Sequence, residues 1–301
     1  MLGSLELALP LALASSLFFG VGKVLDKKGL AGGRLLVGVL YTLMVGPPVL
    51  LLYSALNGDL FTYQYNLLAI THSAIAGIFN HGIGTFFLYA SIRTIGAARA
   101  SVMSSTQVIF APLLSIAFFA ETMSPALAVG TAIIFLGLVW VSFSTPGSQE
   151  NGHSAKGRFK KGYTYGLVSG FFWGASHPFT RLALIGFGSP VMVSLFSYVF
   201  AILPILLILL FTASKARLEL KKMSKIYLSG SGTLRVLAAL SRSTALSLAP
   251  VVLVIPFASL SPLVTVLVSY LVIQRTELIN RNVFFGAIAV VAGAAIIAMF
   301  T

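Results

Sequence analysis

Apolar residues dominate the chain in long stretches that contain no Asp, Glu, Lys or Arg. Each stretch reaches or exceeds the roughly 20 residues that a helix needs to cross the hydrocarbon core of a bilayer. The stretches are residues 35–58, 60–92, 100–120, 122–149, 182–214, 243–274 and 282–301. This pattern predicts an all-α integral membrane protein.

Turn-forming residues divide these stretches into ten predicted helices. Breaks fall at Asn57-Gly58-Asp59 and before Pro125, Pro190 and Pro250, because proline is tolerated in the first turn of a helix and pushes the preceding residue out of helical geometry. The predicted helices are 5–24, 33–55, 67–91, 97–119, 125–144, 162–185, 190–212, 226–248, 250–272 and 280–300.

Composition narrows the class of protein. Charged residues make up 9% of the chain and the mean hydropathy is +0.97, whereas soluble domains carry about 25% charged residues. A soluble enzyme and a nucleic-acid partner are therefore excluded. With no cysteine, four scattered histidines and no GxxxxGK[ST] motif, the sequence predicts no metal, no cofactor and no ATPase of its own.

The net charge of +13 is read as a topology signal. Of the 20 Lys and Arg residues, 17 fall at the loops that follow the odd-numbered predicted helices. Cytoplasmic loops are enriched in these residues. We therefore expect a multi-pass plasma (inner) membrane protein with both termini outside.

The second half of the sequence repeats the first. Residues 13–27 align with residues 167–181 at an offset of 154, and Glu121, Gly130 and Gly137 fall on Glu277, Gly286 and Gly293 at an offset of 156. The predicted units are a first repeat at 1–144, a hinge linker at 145–161 and a second repeat at 162–301. Five helices is an odd number, so the copies are expected to be inverted, an arrangement typical of transporters with a site between the repeats.

The motif Phe172-Trp173-Gly174-x-x-x-Pro178-x-x-Arg181, the parallel Phe18-Phe19-Gly20, and the Glu and Gly residues after predicted helices 4 and 9 resemble the EamA-type members of the drug/metabolite transporter superfamily. The resemblance covers the whole chain. It implies a central cavity lined by the first four helices of each repeat, and export or exchange of small metabolites by alternating access. It also implies cytoplasmic termini; our expectation follows the charge count instead.

Ionisable groups inside a bilayer are costly and mark functional sites by default. Lys23 and His177 occupy equivalent positions in the two repeats, although Lys23 has the alternative of reaching the interface and His177 that of a core histidine. Arg235 and Arg242 lie seven residues apart on one helical face, and Arg242 has the alternative of reaching the outer surface. The candidate substrate-binding residues are Lys23, His177, Arg235, Asn80, His81, Arg242, Trp173 and Gln107.

The sign of these charges predicts the substrate class. The carboxylates Glu6, Asp26, Asp59, Glu121 and Glu277 all fall near predicted helix ends, and a helix N-terminus explains Glu121 and Glu277 without a substrate role. A cavity with cations and no buried carboxylate repels an organic cation and suits a carboxylate or phosphate. The absence of a buried carboxylate also favours exchange or facilitated diffusion over ion coupling.

The predicted function is a secondary transporter, an exporter or exchanger, of a small anionic or zwitterionic metabolite such as an amino acid or a phosphorylated or nucleotide compound. Its partners are the small-molecule substrate and the lipid bilayer, and it is a monomer or homodimer. One alternative is a lipid scramblase or flippase of the same fold. Another is a membrane-embedded lipid-modifying enzyme, which needs an acid/base or metal constellation that the sequence lacks.

Overall fold

The computed structural model describes residues 2–31, 34–62, 66–144, 153–212, 220–273 and 281–299, and proline and glycine set several of its helix boundaries. This part of the chain contains helices and turns and no strand. Pro125 and Pro190 begin helices at a position where the missing N–H costs no hydrogen bond. Gly96, at φ 85°, joins two helices through a backbone conformation that favours glycine.

With broken helices counted as one, the described residues form ten helices and one short helix at Asp59–Thr62. Their bounds are α1 Leu2–Gly29, α2 Leu35–Leu43 with Gly46–Leu56, α3 Leu67–Gly77 with the π-helix Ile78–Gly84 and Thr85–Ile95, α4 Ala97–Ser104 with Gln107–Phe119, α5 Pro125–Ser144, α6 His153–Phe187, α7 Pro190–Thr212, α8 Lys222–Leu248, α9 Val251–Ala258 with Ser261–Ile273, and α10 Arg281–Met299. Of the predicted linker, residues 153–161 are the first turns of α6, and residues 145–152 lie outside the described residues.

Six of these helices, α1, α2, α3, α4, α7 and α9, are long and apolar enough to cross a membrane. The apolar parts of α5 and α10, Pro125–Trp140 and Ile288–Ile297, are shorter, while α6 and α8 carry basic residues in their first turns. The chain is therefore an all-helical, multi-pass membrane protein.

The internal repeat seen in the sequence recurs in the helix bounds. The two segments of α4, Ala97–Ser104 and Gln107–Phe119, coincide with those of α9, Val251–Ala258 and Ser261–Ile273, when 154 is added to each number. Both helices break at the same point, where the Ser105 hydroxyl donates to the carbonyl of its equivalent Ser259 (3.3 Å). The two repeats therefore share one backbone design.

Helix packing follows the same repeat. A side chain on Gly20 of α1 would overlap Val264 of α9, and one on Gly174 of α6 would place its Cβ 2.6 Å from that of Phe110 of α4. Phe110 and Val264 are themselves equivalent at the offset of 154. Small residues let helix backbones approach closely inside a bilayer, where van der Waals packing stabilises helix pairs.

The helices α5 and α10 pack against each other in opposite directions. A Cβ on Gly130 would lie 2.7 Å from the carbonyl oxygen of Gly293, and one on Gly137 would lie 2.9 Å from that of Gly286. Gly130, in the first half of α5, thus meets Gly293 in the second half of α10. Gly137, in the second half of α5, meets Gly286 in the first half of α10. Equivalent helices that run antiparallel fit the predicted inversion of the repeats.

Candidate functional site

All eight candidate residues are buried, between 0% and 7% exposed. They come from α1, α3, α4, α6 and α8, the helices that meet at the centre of the molecule. Five of the eight carry or can carry charge, and buried Asp26 is a sixth such residue beside them. We call this set of charged and titratable residues the central cluster: Lys23, Asp26, His81, His177, Arg235 and Arg242.

Lys23 does not reach the membrane interface. Its ammonium donates to the hydroxyls of Ser101 and Ser261, each at 2.9 Å, and lies 5.4 Å from the centre of the Trp173 ring. The side chain of Lys23 lies inside the bundle, and its contacts join α1 to α4, α9 and α6. The lysine is therefore fixed at the meeting point of the two repeats.

His177 makes the equivalent contact in the other repeat. Its Nε2 hydrogen-bonds with Oε1 of Gln107 at 3.1 Å, and the pair matches Lys23 and Ser261 at the offset of 154. Nδ1 of His177 has no hydrogen-bond partner within the described ranges. A buried titratable nitrogen is thus available at the same place where the first repeat carries an ammonium.

Asp26 corrects the expectation that no carboxylate is buried, and with it the ground on which ion coupling was disfavoured. It is fully buried, forms an ion pair with Arg235, and accepts hydrogen bonds from Ser231 and from Tyr89 (2.7 Å). The helix α1 continues to Gly29 instead of ending at residue 24, which carries Asp26 into the core. Glu277 lies outside the described residues, so its placement is not part of this comparison.

Arg242 is, after Lys23, the second buried cation that forms no ion pair within the described residues. Its guanidinium lies 5.1 Å from the centre of the Phe19 ring and interacts electrostatically with His81 and His177. In the part of the chain that the structure describes, it makes no hydrogen bond and meets no carboxylate. Burying a charge is costly unless it is paired, so this residue is the natural contact for an anion.

A π-helix shapes the wall contributed by α3. Within Ile78–Gly84, the carbonyl of Asn80 accepts from the Trp173 indole N–H (2.9 Å), and the Asn80 amide donates to Ser176 (2.8 Å). A Cβ on Gly84 would overlap the Trp173 ring, so glycine makes this approach possible. Single π-helical turns inside α-helices occur frequently at functional sites.

Aromatic rings separate the charges of the central cluster. His81 stacks on Tyr198 with ring centres 4.1 Å apart, and the equivalent residues Phe19 and Trp173 contact each other at 5.8 Å. Arg235 lies against Phe19 and Tyr89, at 5.7 and 5.2 Å. Ring faces attract cations, so they hold the guanidinium groups in place without neutralising them.

Cations outnumber anions in the described core. Three buried cations face one buried carboxylate, which leaves an excess of two positive charges when both histidines are neutral. No group of three His, Cys, Asp or Glu residues in the described ranges is arranged to hold a metal ion. The arrangement can therefore bind an anionic group by charge and hydrogen bonds.

Sequence reasoning did not identify Asp26 as a residue of the site. A signal for Asp26 was present, since it lies three residues after Lys23 and hence on the same face of α1. Its partner Arg235 is 209 residues away, so nothing local in the sequence identifies the ion pair.

The comparisons with known proteins agree with this architecture. The EamA-like transporter family model matches residues 6–143 and again residues 160–299. A search of curated proteins finds no match. One solved crystal structure superimposes with a TM-score of 0.75 over 98% of this chain and 99% of that chain at 14% sequence identity, a likeness that shows the fold alone. Because the family model matches both repeats and nearly the whole sequence, the chain belongs to the EamA-like transporter family of the drug/metabolite transporter superfamily.

Proposed function

We propose that this protein is a secondary transporter, an exporter or exchanger, of a small anionic or zwitterionic metabolite. Amino acids and phosphorylated or nucleotide compounds belong to this class. Transport proceeds by alternating access, in which the two inverted repeats rock around the central cluster and expose it to one side of the membrane at a time.

The observation that carries the substrate class is the excess of cations in the central cluster, and above all unpaired Arg242. Lys23 is held by two serines and Arg235 by Asp26, whereas Arg242 lies against the Phe19 ring and forms no hydrogen bond or ion pair within the described region. A guanidinium binds a carboxylate or phosphate with two parallel hydrogen bonds. Arg242 is therefore the anchor of the anion, and Lys23 supplies a second positive charge.

The remaining candidate residues set orientation and selectivity. Asn80 and Gln107 offer amide groups, and His81 and His177 offer ring nitrogens, near the same charges. Trp173 and Phe19 form an apolar wall beside them. A polar anion with a compact organic part fits such a surface.

The proposed membrane arrangement has ten spans. α6 and α8 then cross the membrane although they carry basic residues, because His177 of α6 and both arginines of α8 lie in the central cluster inside the protein. The loops after odd-numbered helices are cytoplasmic, and both termini lie outside the plasma membrane. The protein acts as a monomer or a homodimer.

Ligand-dependent thermal stability tests the substrate class, because a molecule that binds only the folded state raises the melting temperature in proportion to the logarithm of its concentration over Kd. The panel contains amino acids, sugar phosphates, nucleotides, short-chain anionic lipids and organic cations. We expect small anions or zwitterions to stabilise the wild type, and Arg242→Gln to lose that shift. Lys225→Gln is the matched control, since Lys225 is exposed on the same helix.

Two results contradict the proposal. Stabilisation by organic cations alone would show that the charge argument is wrong. An unchanged anion response in Arg242→Gln would show that this arginine has a structural role only. A response restricted to anionic lipids would favour lipid transport by the same fold.

A further inference from the structure

A second polar group of residues closes one end of the helix bundle. It lies where α4 ends and α9 begins, near the last turns of α6 and α8. We call it the end latch and define it as Ser115, Glu121, Arg181 and the backbone of residues 249–252. It joins the first repeat, through Glu121, to α6 and to the first turn of α9 in the second repeat.

Glu121 is the centre of the end latch. One carboxylate oxygen lies 3.7 Å from Nε of Arg181 and accepts from the backbone N–H of Val251 (3.4 Å). The other accepts from the N–H of Val252 (3.3 Å) and from the hydroxyl of Ser115 (2.8 Å). Glu121 was expected to interact with the start of α5, but its carboxylate contacts the first turn of α9, where free N–H groups and the helix dipole favour negative charge.

Arg181 strengthens the same connection. Its Nη1 donates to the carbonyl of Ala249 at 2.6 Å, and its guanidinium lies 5.9 Å from the centre of the Phe119 ring. The backbone between Phe119 and Glu121 passes through Ala120 at φ 51°, which is costly for a residue with a Cβ. Strained backbone of this kind persists where surrounding contacts hold it in place.

The inverted repeat supplies a comparison at the opposite end. Arg181 is equivalent to Lys27, Ser115 to Ser269, and Val251 to Ala97, all at the offset of 154. The Ser269 hydroxyl is buried without a hydrogen-bond partner in the described ranges. Lys27 forms no ion pair with a carboxylate of those ranges. Glu277, the equivalent of Glu121 at the offset of 156, lies outside the described residues, so the two ends are compared only at these three positions.

We infer that the end latch is a gate, which holds this end of the bundle closed and breaks when the substrate passes through it. This inference rests on the proposed transport function. The side chains of Arg181 and Glu121 are 26% and 10% exposed, so water reaches the ion pair and weakens it. An interaction of this strength can close one end reversibly, unlike a fully buried ion pair.

The distance across the end latch can be measured without knowing the substrate. The chain has no cysteine, so two introduced cysteines can carry spin labels at defined positions. Thr122→Cys and Ser247→Cys place labels at exposed sites on either side of the end latch. Pulsed electron paramagnetic resonance on the full chain in lipid then gives the distribution of distances between them.

We expect one short distance in the otherwise unchanged protein. Glu121→Gln and Arg181→Gln should each add a longer distance, with the ratio of open to closed molecules rising about two- to fivefold for the loss of a partly exposed ion pair. High salt should also increase the fraction of open molecules when the end latch is unchanged, because salt screens the ion pair. The matched control is Lys27→Gln, because Lys27 is the equivalent of Arg181 in the other repeat. In this variant we expect a single short distance across the end latch, as in the unchanged protein.

Identical distance distributions in Glu121→Gln, Arg181→Gln and the protein with an unchanged end latch would contradict the inference that the end latch is a gate. If Glu121→Gln does not fold, Arg181→Gln and Ser115→Ala decide by the same criterion, with a smaller effect expected for Ser115→Ala. This experiment needs no substrate. An unchanged distance in these variants would therefore contradict the gate alone, and anion binding would still be tested separately by ligand-dependent thermal stability.

Discussion

The two repeats have the same backbone and different charges. Gly20 and Gly174 pack on equivalent partners, and α4 and α9 break at equivalent points. In the central cluster, by contrast, Lys23 is matched by His177, Asp26 by Thr180, and Arg235 by His81. The positions that let helices approach are repeated, and the positions that carry charge have diverged.

This difference separates folding from function. Helix packing imposes the same steric demand in each repeat, so the same small residues serve both. A substrate is not symmetric, and a site between two inverted repeats must present it with different groups on its two sides. The first repeat contributes a lysine, a carboxylate and His81, while the second contributes His177 and the two arginines of α8.

Removal of Asp26 should have the largest effect on stability. Asp26→Ala leaves the Arg235 guanidinium buried without its counter-charge, a change that costs about 3–5 kcal/mol. The equivalent Thr180→Ala removes only a hydroxyl that bonds to the carbonyl of Ser176, so about 1 kcal/mol is expected. Thermal unfolding of the purified variants measures both. Equal losses in the two variants would contradict the asymmetry of charge.

A double variant distinguishes a broken ion pair from general damage to the core. Asp26→Asn combined with Arg235→Gln removes both charges and keeps hydrogen-bonding groups at both positions. It should recover much of the stability lost in Asp26→Ala, because the desolvation cost of the charges is also removed. A double variant that unfolds as readily as Asp26→Ala would mean that packing, not charge, explains the loss.

Glycine variants test the symmetric part of the comparison. Gly20→Ala and Gly174→Ala force Val264 and Phe110 to move, and overpacking of this kind costs about 1–3 kcal/mol. Gly22→Ala is the control on α1, since its Cβ would have no neighbour closer than 3.7 Å. Melting temperatures should fall for the first two by similar amounts and hold or rise for the third. A fall for Gly22→Ala alone would show that the packing is not as described.

The smallest expected change in stability, and an unequal change in binding, comes from Lys23 and His177. Lys23→Met removes a charged donor, so anion affinity should fall by about 10- to 100-fold, whereas His177→Leu removes a neutral contact and should cost about 2- to 10-fold. Both proteins should remain folded. Titration of the stabilising anion by calorimetry gives the two affinities. A larger loss for His177→Leu would reverse the roles assigned to the two repeats.

Much of this architecture follows from the sequence, because each uncharged stretch has the length of a bilayer span and the glycines of the two repeats fall in register. The equivalence of Lys23 and His177 follows from the same register. The gathering of all eight candidate residues in one buried region agrees with the rule that ionisable groups in spans face the protein interior.

Other features depend on contacts that the sequence does not display. The first predicted helix ends at residue 24, before the charges of Asp26, Lys27 and Lys28, but Arg235 neutralises Asp26 and α1 continues to Gly29. The π-helix in α3 depends on the Trp173 ring from another repeat, which occupies the space left by Gly84. Both features result from side chains that are distant in sequence and adjacent in the fold.

Counterflow in proteoliposomes tests the central claim most directly. Vesicles loaded with an anion that stabilises the protein should accumulate the same labelled anion transiently from outside, and vesicles with Arg242→Gln should not, although this variant is inserted and folded. The control Lys225→Gln should transport like the wild type. Counterflow of an organic cation, or full anion counterflow in Arg242→Gln, would contradict a cationic binding site between the two repeats.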